Sequence, residues 1–192
     1  MRHRGPARSA AYVVAALVAV AVLGGCSNGD APGEPGTPED SATQTTSPED
    51  ALIATGLEQI EGGKFAEAEV TFLSLITLDP DNVYGLYNLG YLAQTQGNTR
   101  SAIVRYTETL SVDGDFAPAL YNLALLTEAD DVRAAVLLYR RAVAAAPDDA
   151  AAHMRLGFAL QHLGKQREGQ QMVDRGIELD PAMADVEPPR YR

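Results

Sequence analysis

The residues whose types and spacing could do chemistry are few, and the first is Cys26, the only cysteine in a chain of 192 residues. A single thiol cannot close an intramolecular disulfide, so its chemistry is that of a nucleophile open to modification. A second set is periodic: Asn88, Asn122 and Arg155 stand 34 and 33 residues apart. An amide can both donate to and accept from a peptide backbone, and a guanidinium can hold a carboxylate, so such a row could grip an extended chain. His153 and His162 are nine residues apart; at about 100° per residue a helix would turn them to opposite sides, where they cannot share a metal. The cluster Asp113-Gly114-Asp115 lacks the further oxygen ligands that calcium takes. No glycine-rich phosphate loop follows a strand, and nothing places a serine, a histidine and an acid as a triad. The expectation is no enzyme, no catalytic residue, no metal and no cofactor.

Cys26 is positioned by the residues before it. Arg2, Arg4 and Arg8 lead into an uncharged run from Ser9 to Leu23 that is mostly Ala and Val. A basic segment before a short apolar one reads as an export signal over residues 1–25. The run is shorter than the roughly 20 residues that cross a bilayer. It ends in Leu23-Gly24-Gly25-Cys26, which resembles the lipobox of bacterial lipoproteins: an aliphatic residue, two small residues, then the cysteine that receives a diacylglyceryl group before cleavage ahead of it. That resemblance implies lipidation at Cys26 and anchoring to a membrane of the bacterial cell envelope on the extracytoplasmic side. Two acyl chains, each buried CH₂ contributing about 0.8 kcal/mol, make a stable anchor.

Residues 26–48 then read as a tether. They carry Pro32, Pro35, Pro38 and Pro48, acidic residues, Ser, Thr and Gly, and almost nothing apolar, a composition that cannot bury a core and is expected to be disordered. Coil statistics give such a segment a reach of roughly 25 Å, with an extended limit of about 70 Å. Loss of residues 1–25 lowers Lys+Arg from 15 to 12 against 26 Asp+Glu, a net charge of −14. So acidic a chain should be repelled by nucleic acid and by anionic headgroups.

From Glu49 onward the pattern repeats about every 34 residues: Asn88-Leu89-Gly90, Asn122-Leu123-Ala124 and Arg155-Leu156-Gly157 recur, and units close at Asp79-Pro80, Asp113-Gly114, Ala146-Pro147 and Asp180-Pro181. A period of this length belongs to stacked helix pairs. Gly56, Gly90, Ala124 and Gly157 would let the two helices of a unit approach closely, Phe72, Tyr106 and Tyr139 would fill the gap toward the next, and proline would stop the second helix. Asp79, Asp113, Asp148 and Asp180 are expected at the helix ends as caps and turn residues for the next helix.

These positions resemble the tetratricopeptide repeat (TPR) family. The resemblance implies an all-α, right-handed TPR α-solenoid of four helix-turn-helix units, at about 49–82, 83–116, 117–149 and 150–183, ahead of a tail over 184–192. The third unit is one residue short at Glu128-Ala129-Asp130-Asp131, and the fourth has Gly169 and Gly176 where alanine is expected and Val173 for the aromatic. Pro188-Pro189 argues against a further capping helix, leaving Gln170, Gln171, Asp174 and Arg175 of the last helix to face water or a second copy to cover that end.

In the family the first helix of each unit lines a concave groove. By resemblance, Tyr84, Tyr87, Asn88 and Tyr91 with Gln94, then Tyr121, Asn122 and Leu125 with Glu128, then Met154, Arg155 and Phe158 with Gln161 and His162, would form a peptide-binding groove, preceded by Ile53, Leu57 and Ile60. An aromatic and apolar trough with a few polar groups suits an extended or helical peptide. The basic pairs of the carboxylate-clamp subfamily are missing, since Ile53 and Leu57 stand where its first basic residue and asparagine belong. The expected function is a membrane-anchored adaptor or scaffold for a protein or peptide partner in envelope assembly or maintenance. A self-associating structural lipoprotein, a homo-oligomer, is the alternative, and an enzyme or small-molecule binder a weaker one.

Overall fold

A computed structural model describes residues 47–191. The expected export signal, the Cys26 lipidation site and nearly all of the tether lie outside the described residues.

Among the described residues, eight α-helices come in four hairpins: α1 (Pro48–Glu61) with α2 (Phe65–Leu78), α3 (Val83–Thr95) with α4 (Thr99–Val112), α5 (Ala117–Glu128) with α6 (Val132–Ala145), and α7 (Ala150–His162) with α8 (Gln166–Leu179). Backbone contacts run mainly between consecutive helices, as a stack of hairpins requires. The cores are correspondingly a chain of clusters. Phe72 and Leu75 anchor one under the first two hairpins, Tyr87 and Tyr106 a second, and Leu120, Tyr139 and Leu156 a third under the last two. Phe72, Tyr106 and Tyr139 are completely buried, in keeping with their shared repeat position.

Helix starts are set by short polar side chains that take the first free N–H groups. Ser47 accepts from Asp50 at 3.0 Å, Asn82 from Gly85 at 3.0 Å and Asn98 from Ser101 at 3.3 Å. Asp149 accepts from both Ala151 and Ala152. The aspartates named from sequence divide differently. Asp79 and Asp113 close α2 and α4 in extended conformation, and their carboxylates take the N–H groups of Asp81 and Asp115 within the turn, so they bend the chain without capping α3 or α5. Asp149, one residue beyond Asp148, is the cap of α7, because the cap side chain must lie two or three residues before the amides it serves. Asp180 does act as a cap, for a 3₁₀ turn over Pro181–Asp185.

The hairpin turns place Gly63, Gly97 and Gly164 at φ of 70°, 78° and 80°, where a side chain is strained. The third hairpin, one residue shorter, passes from Glu128 to Val132 without such a glycine. In the fourth, a Cβ on Gly169 would sit 2.7 Å from the Gly157 carbonyl oxygen, so α7 and α8 approach more closely than alanine permits. That explains glycine in the place of alanine and the smaller Val173 in the place of an aromatic. Gln170, Gln171, Asp174 and Arg175 lie on α8, the last helix of the stack, and all four are exposed, with Gln170 donating to Asp174 at 2.8 Å. After the 3₁₀ turn the chain comes back to the solenoid: Pro189, Arg190 and Tyr191 border a cleft at the end of α5, and Tyr191 stacks on His162 at the end of α7.

Candidate functional site

The ten expected groove residues lie on the first helices α3, α5 and α7, a zone in which their depths differ. Tyr84, Tyr91, Leu125 and Arg155 are partly open to solvent, Tyr84 most so at 37% exposure. Tyr87, Asn88, Tyr121, Asn122, Met154 and Phe158 are buried. Of the buried ones, Tyr87, Tyr121 and Asn122 join element to element. The Asn122 amide donates to the Tyr87 hydroxyl at 3.1 Å, the Tyr87 ring lies 5.3 Å from Phe116 and 5.8 Å from Tyr106, and Asn88 donates to the Tyr84 carbonyl within its own helix. The row of amides seen in the sequence thus exists, yet both amide nitrogens donate inside the protein, and the buried Asn122 Oδ1 has no hydrogen-bond partner among the described residues. Burial pushes the Tyr87 and Tyr106 hydroxyls well above the usual phenol range, so both remain protonated.

The strongest electrostatic feature of this face is Glu128, at the end of α5. Its side chain is only 8% exposed, and burial raises its pKa above the usual carboxylate range despite the opposing pull of Arg155. Three groups serve it. Arg155 from α7 approaches Oε2 at 3.3 Å, the buried Tyr139 hydroxyl of α6 donates to the same oxygen at 3.3 Å, and the Tyr191 hydroxyl donates to Oε1 at 2.9 Å. Arg155 also pairs with the Tyr121 hydroxyl. Arg155 is therefore engaged with α5 already, where the sequence had it free to fix a ligand carboxylate.

The two histidines are on opposite sides, as their spacing required. His153 is buried with Nε2 3.0 Å from the Pro147 carbonyl, and His162 is exposed and stacks on the Tyr191 ring at a centroid distance of 4.2 Å. Among the described residues no group of three His, Cys, Asp or Glu could hold a metal. Tyr191 was not among the residues that the sequence pointed to. Its partner Glu128 is 63 residues away and no period links them; the visible signal was a tyrosine beside arginine following Pro188-Pro189 in an acidic chain.

Two clefts border this zone. One, about 440 Å³, lies between the starts of α5 and α7, with Pro118, Tyr121, Asp149 and Leu179 in its walls. The other, about 410 Å³, lies between the end of α5 and the returning tail, lined by Leu125, Glu128, Asp130, Val132, Arg190 and Tyr191. Neither presents a nucleophile with an adjacent base.

No protein-family model and no curated protein sequence matches the chain. Solved structures do. A crystal structure of MamA aligns with a TM-score of 0.61 at 18% identity, over 74% of this chain and 84% of that one. YrrB, described as a TPR protein with an unusual peptide-binding site, aligns with a TM-score of 0.61 at 20% identity, over 71% and 72%. An O-GlcNAc transferase mutant of Thermobaculum terrenum aligns with a TM-score of 0.54 at 26% identity, over 58% of this chain but 22% of that one. At these identities the likeness establishes the fold: an all-α TPR solenoid.

Proposed function

We propose that this TPR solenoid is the partner-binding domain of a lipoprotein that is acylated at Cys26, held on the extracytoplasmic side of a bacterial membrane, and occupied in assembling or maintaining the cell envelope. The face built by α3, α5 and α7 binds a protein or peptide. The observation that carries the reading is that irregular chain already reaches this face: Pro189, Arg190 and Tyr191 border the cleft at the end of α5, and Tyr191 is bonded to Glu128 at 2.9 Å. YrrB, a solved neighbour named for its peptide-binding site, supports it. The anchor rests on the sequence Leu23-Gly24-Gly25-Cys26 alone.

Crosslinking capture from envelope membranes tests the binding face. The native chain is compared with a Tyr84→Ala, Tyr91→Ala variant, two partly exposed positions; because Tyr91 also packs on the core under the first two hairpins and Tyr84 on Phe116, unchanged helicity is the control. A partner retained by the native chain and lost by a variant of unchanged helicity is expected; identical capture by both sinks the reading. The anchor is tested separately by growth with a labelled fatty acid: the native chain should take up the label and Cys26→Ala should not, and a native chain that stays unlabelled removes the lipid anchor from the account.

One observation favours a second reading, self-association. Val70 of α2, Val104 of α4 and Leu137 of α6 occupy equivalent repeat positions on successive second helices, and they are 64%, 49% and 64% exposed. An apolar row of this kind is a candidate contact between copies. Light scattering of the native chain and Val104→Asp decides it: an oligomer that the substitution splits supports self-association, and a monomer in both ends it.

A further inference from the structure

The contact made by Tyr191 is built differently at its two ends. On the solenoid side it is rigid and costly. Glu128 is a nearly buried carboxylate whose Oε2 is fixed by Tyr139 and Arg155, leaving Oε1 for one more donor. On the tail side it is light. Residues 186–191 form no helix, and they are held to the solenoid chiefly by the hydrogen bond of the Tyr191 hydroxyl and its stack on His162 at 4.2 Å. A buried carboxylate oxygen needs a donor, and a phenol reaching across His162 supplies it. Phenylalanine would stack but leave Oε1 unserved, and a phosphorylated tyrosine would set negative charge against Glu128.

Room and charge point the same way. The cleft of about 410 Å³ beside the tail also borders Leu125, Asp130 and Val132, so the notch is larger than the tail fills. Its lining carries Glu128 and Asp130, and the tyrosine that enters it is flanked in sequence by Arg190 and Arg192. The segment is tied to the solenoid through the 3₁₀ turn Pro181–Asp185. Such a short tether holds a weak ligand at an effective concentration on the order of millimolar.

We infer that Glu128 and His162 form a tyrosine-reading subsite, that the chain's own Tyr191 occupies it as a resident competitor, and that the peptide partner carries an unphosphorylated tyrosine next to arginine which displaces the tail. The inference deepens the proposed function and rests on its reading of the first-helix face. It also makes the tail a threshold, because a partner must outcompete a ligand already in place.

The test uses the full chain, isotopically labelled, with the peptide Glu-Pro-Pro-Arg-Tyr-Arg titrated in and the backbone resonances near Glu128 and His162 followed by NMR. In Tyr191→Ala the notch is vacated, and the peptide should saturate it at a concentration about tenfold lower than in the native chain. Adding His162→Ala, an exposed position, to that variant should weaken binding, as should phenylalanine or phosphotyrosine in the peptide. Equal titration of the native chain and Tyr191→Ala, or no movement near Glu128 and His162 in either, overturns the subsite. If the resonances of Tyr84 and Tyr91 move in their place, the subsite is wrong while the first-helix face still binds peptide. Loss of that broader reading is registered only by the membrane capture experiment.

Discussion

The Asn122 amide donates to the Tyr87 hydroxyl at 3.1 Å, bonding α5 to α3 across 35 residues in the interior of the solenoid. Asn122 is 1% exposed, so no water can replace that acceptor at no cost. Tyr87→Phe keeps the ring against Phe116 and Tyr106 and removes only the oxygen. The expected loss is about 1–3 kcal/mol, the penalty for a buried polar group left unpaired. Urea unfolding checks it: the midpoint should fall with the slope unchanged, and an unchanged midpoint would mean the pair is energetically idle.

Gly157 is a position where a single methyl group has no room. A Cβ there would meet Val173 Cγ2 at 2.7 Å and the Gly169 carbonyl oxygen at 2.8 Å, and the second of these is backbone that cannot step aside. Gly157→Ala should cost about 1–3 kcal/mol through overpacking, against a helix-propensity gain of roughly 1 kcal/mol. Gly97 makes a control, since a Cβ meets nothing within 4 Å and only the φ of 78° is strained. Thermal melts should rank Gly157→Ala below Gly97→Ala; the reverse order would contradict the close approach of α7 and α8.

Fold and site were unequally legible in the sequence. The repeat period names the fold because the same small and aromatic positions must recur wherever helix pairs stack, and Phe72, Tyr106 and Tyr139 are buried accordingly. The depth of the groove residues was not legible. Tyr87 and Asn122 lie on the right helices, but whether a long side chain on a first helix reaches solvent or the neighbouring helix depends on the spacing between hairpins, which no single unit encodes. Phe116, set in the turn ahead of α5, packs on Tyr87 and closes that path. The tail was less legible still. A contact between Tyr191 and Glu128 has neither period nor motif, and Pro188-Pro189 speaks only against a helix.

The cap of α7 gives a local test of the last hairpin. Asp149 accepts from Ala151 at 2.9 Å and from Ala152 at 3.0 Å, satisfying two amides that the helix itself cannot. Asp149→Ala should cost about 1 kcal/mol, concentrated at the start of α7. Amide hydrogen exchange is the direct measurement: Ala151 and Ala152 should exchange faster while the protection of α3 is unchanged. Uniform acceleration would show that the cap supports the whole stack.

Glu128 should make stability depend on pH in an unusual direction for an acid. Most paired carboxylates have depressed pKa values and stabilise a fold as pH rises, but burial holds this one above the ordinary value of 4.5. The folded chain therefore binds this proton more tightly than the unfolded chain. The resulting contribution to stability is full below the ordinary carboxylate value and is lost as pH rises through the raised one. Glu128→Gln cannot titrate and keeps an acceptor for Tyr191, so the comparison isolates the effect from the other acids. Urea midpoints measured from about pH 4 to about pH 7 should fall for the native chain relative to Glu128→Gln. A native chain that gains on the variant over that range would show that Arg155, Tyr139 and Tyr191 outweigh the cost of burial, and that the carboxylate is held as a net stabilising anion.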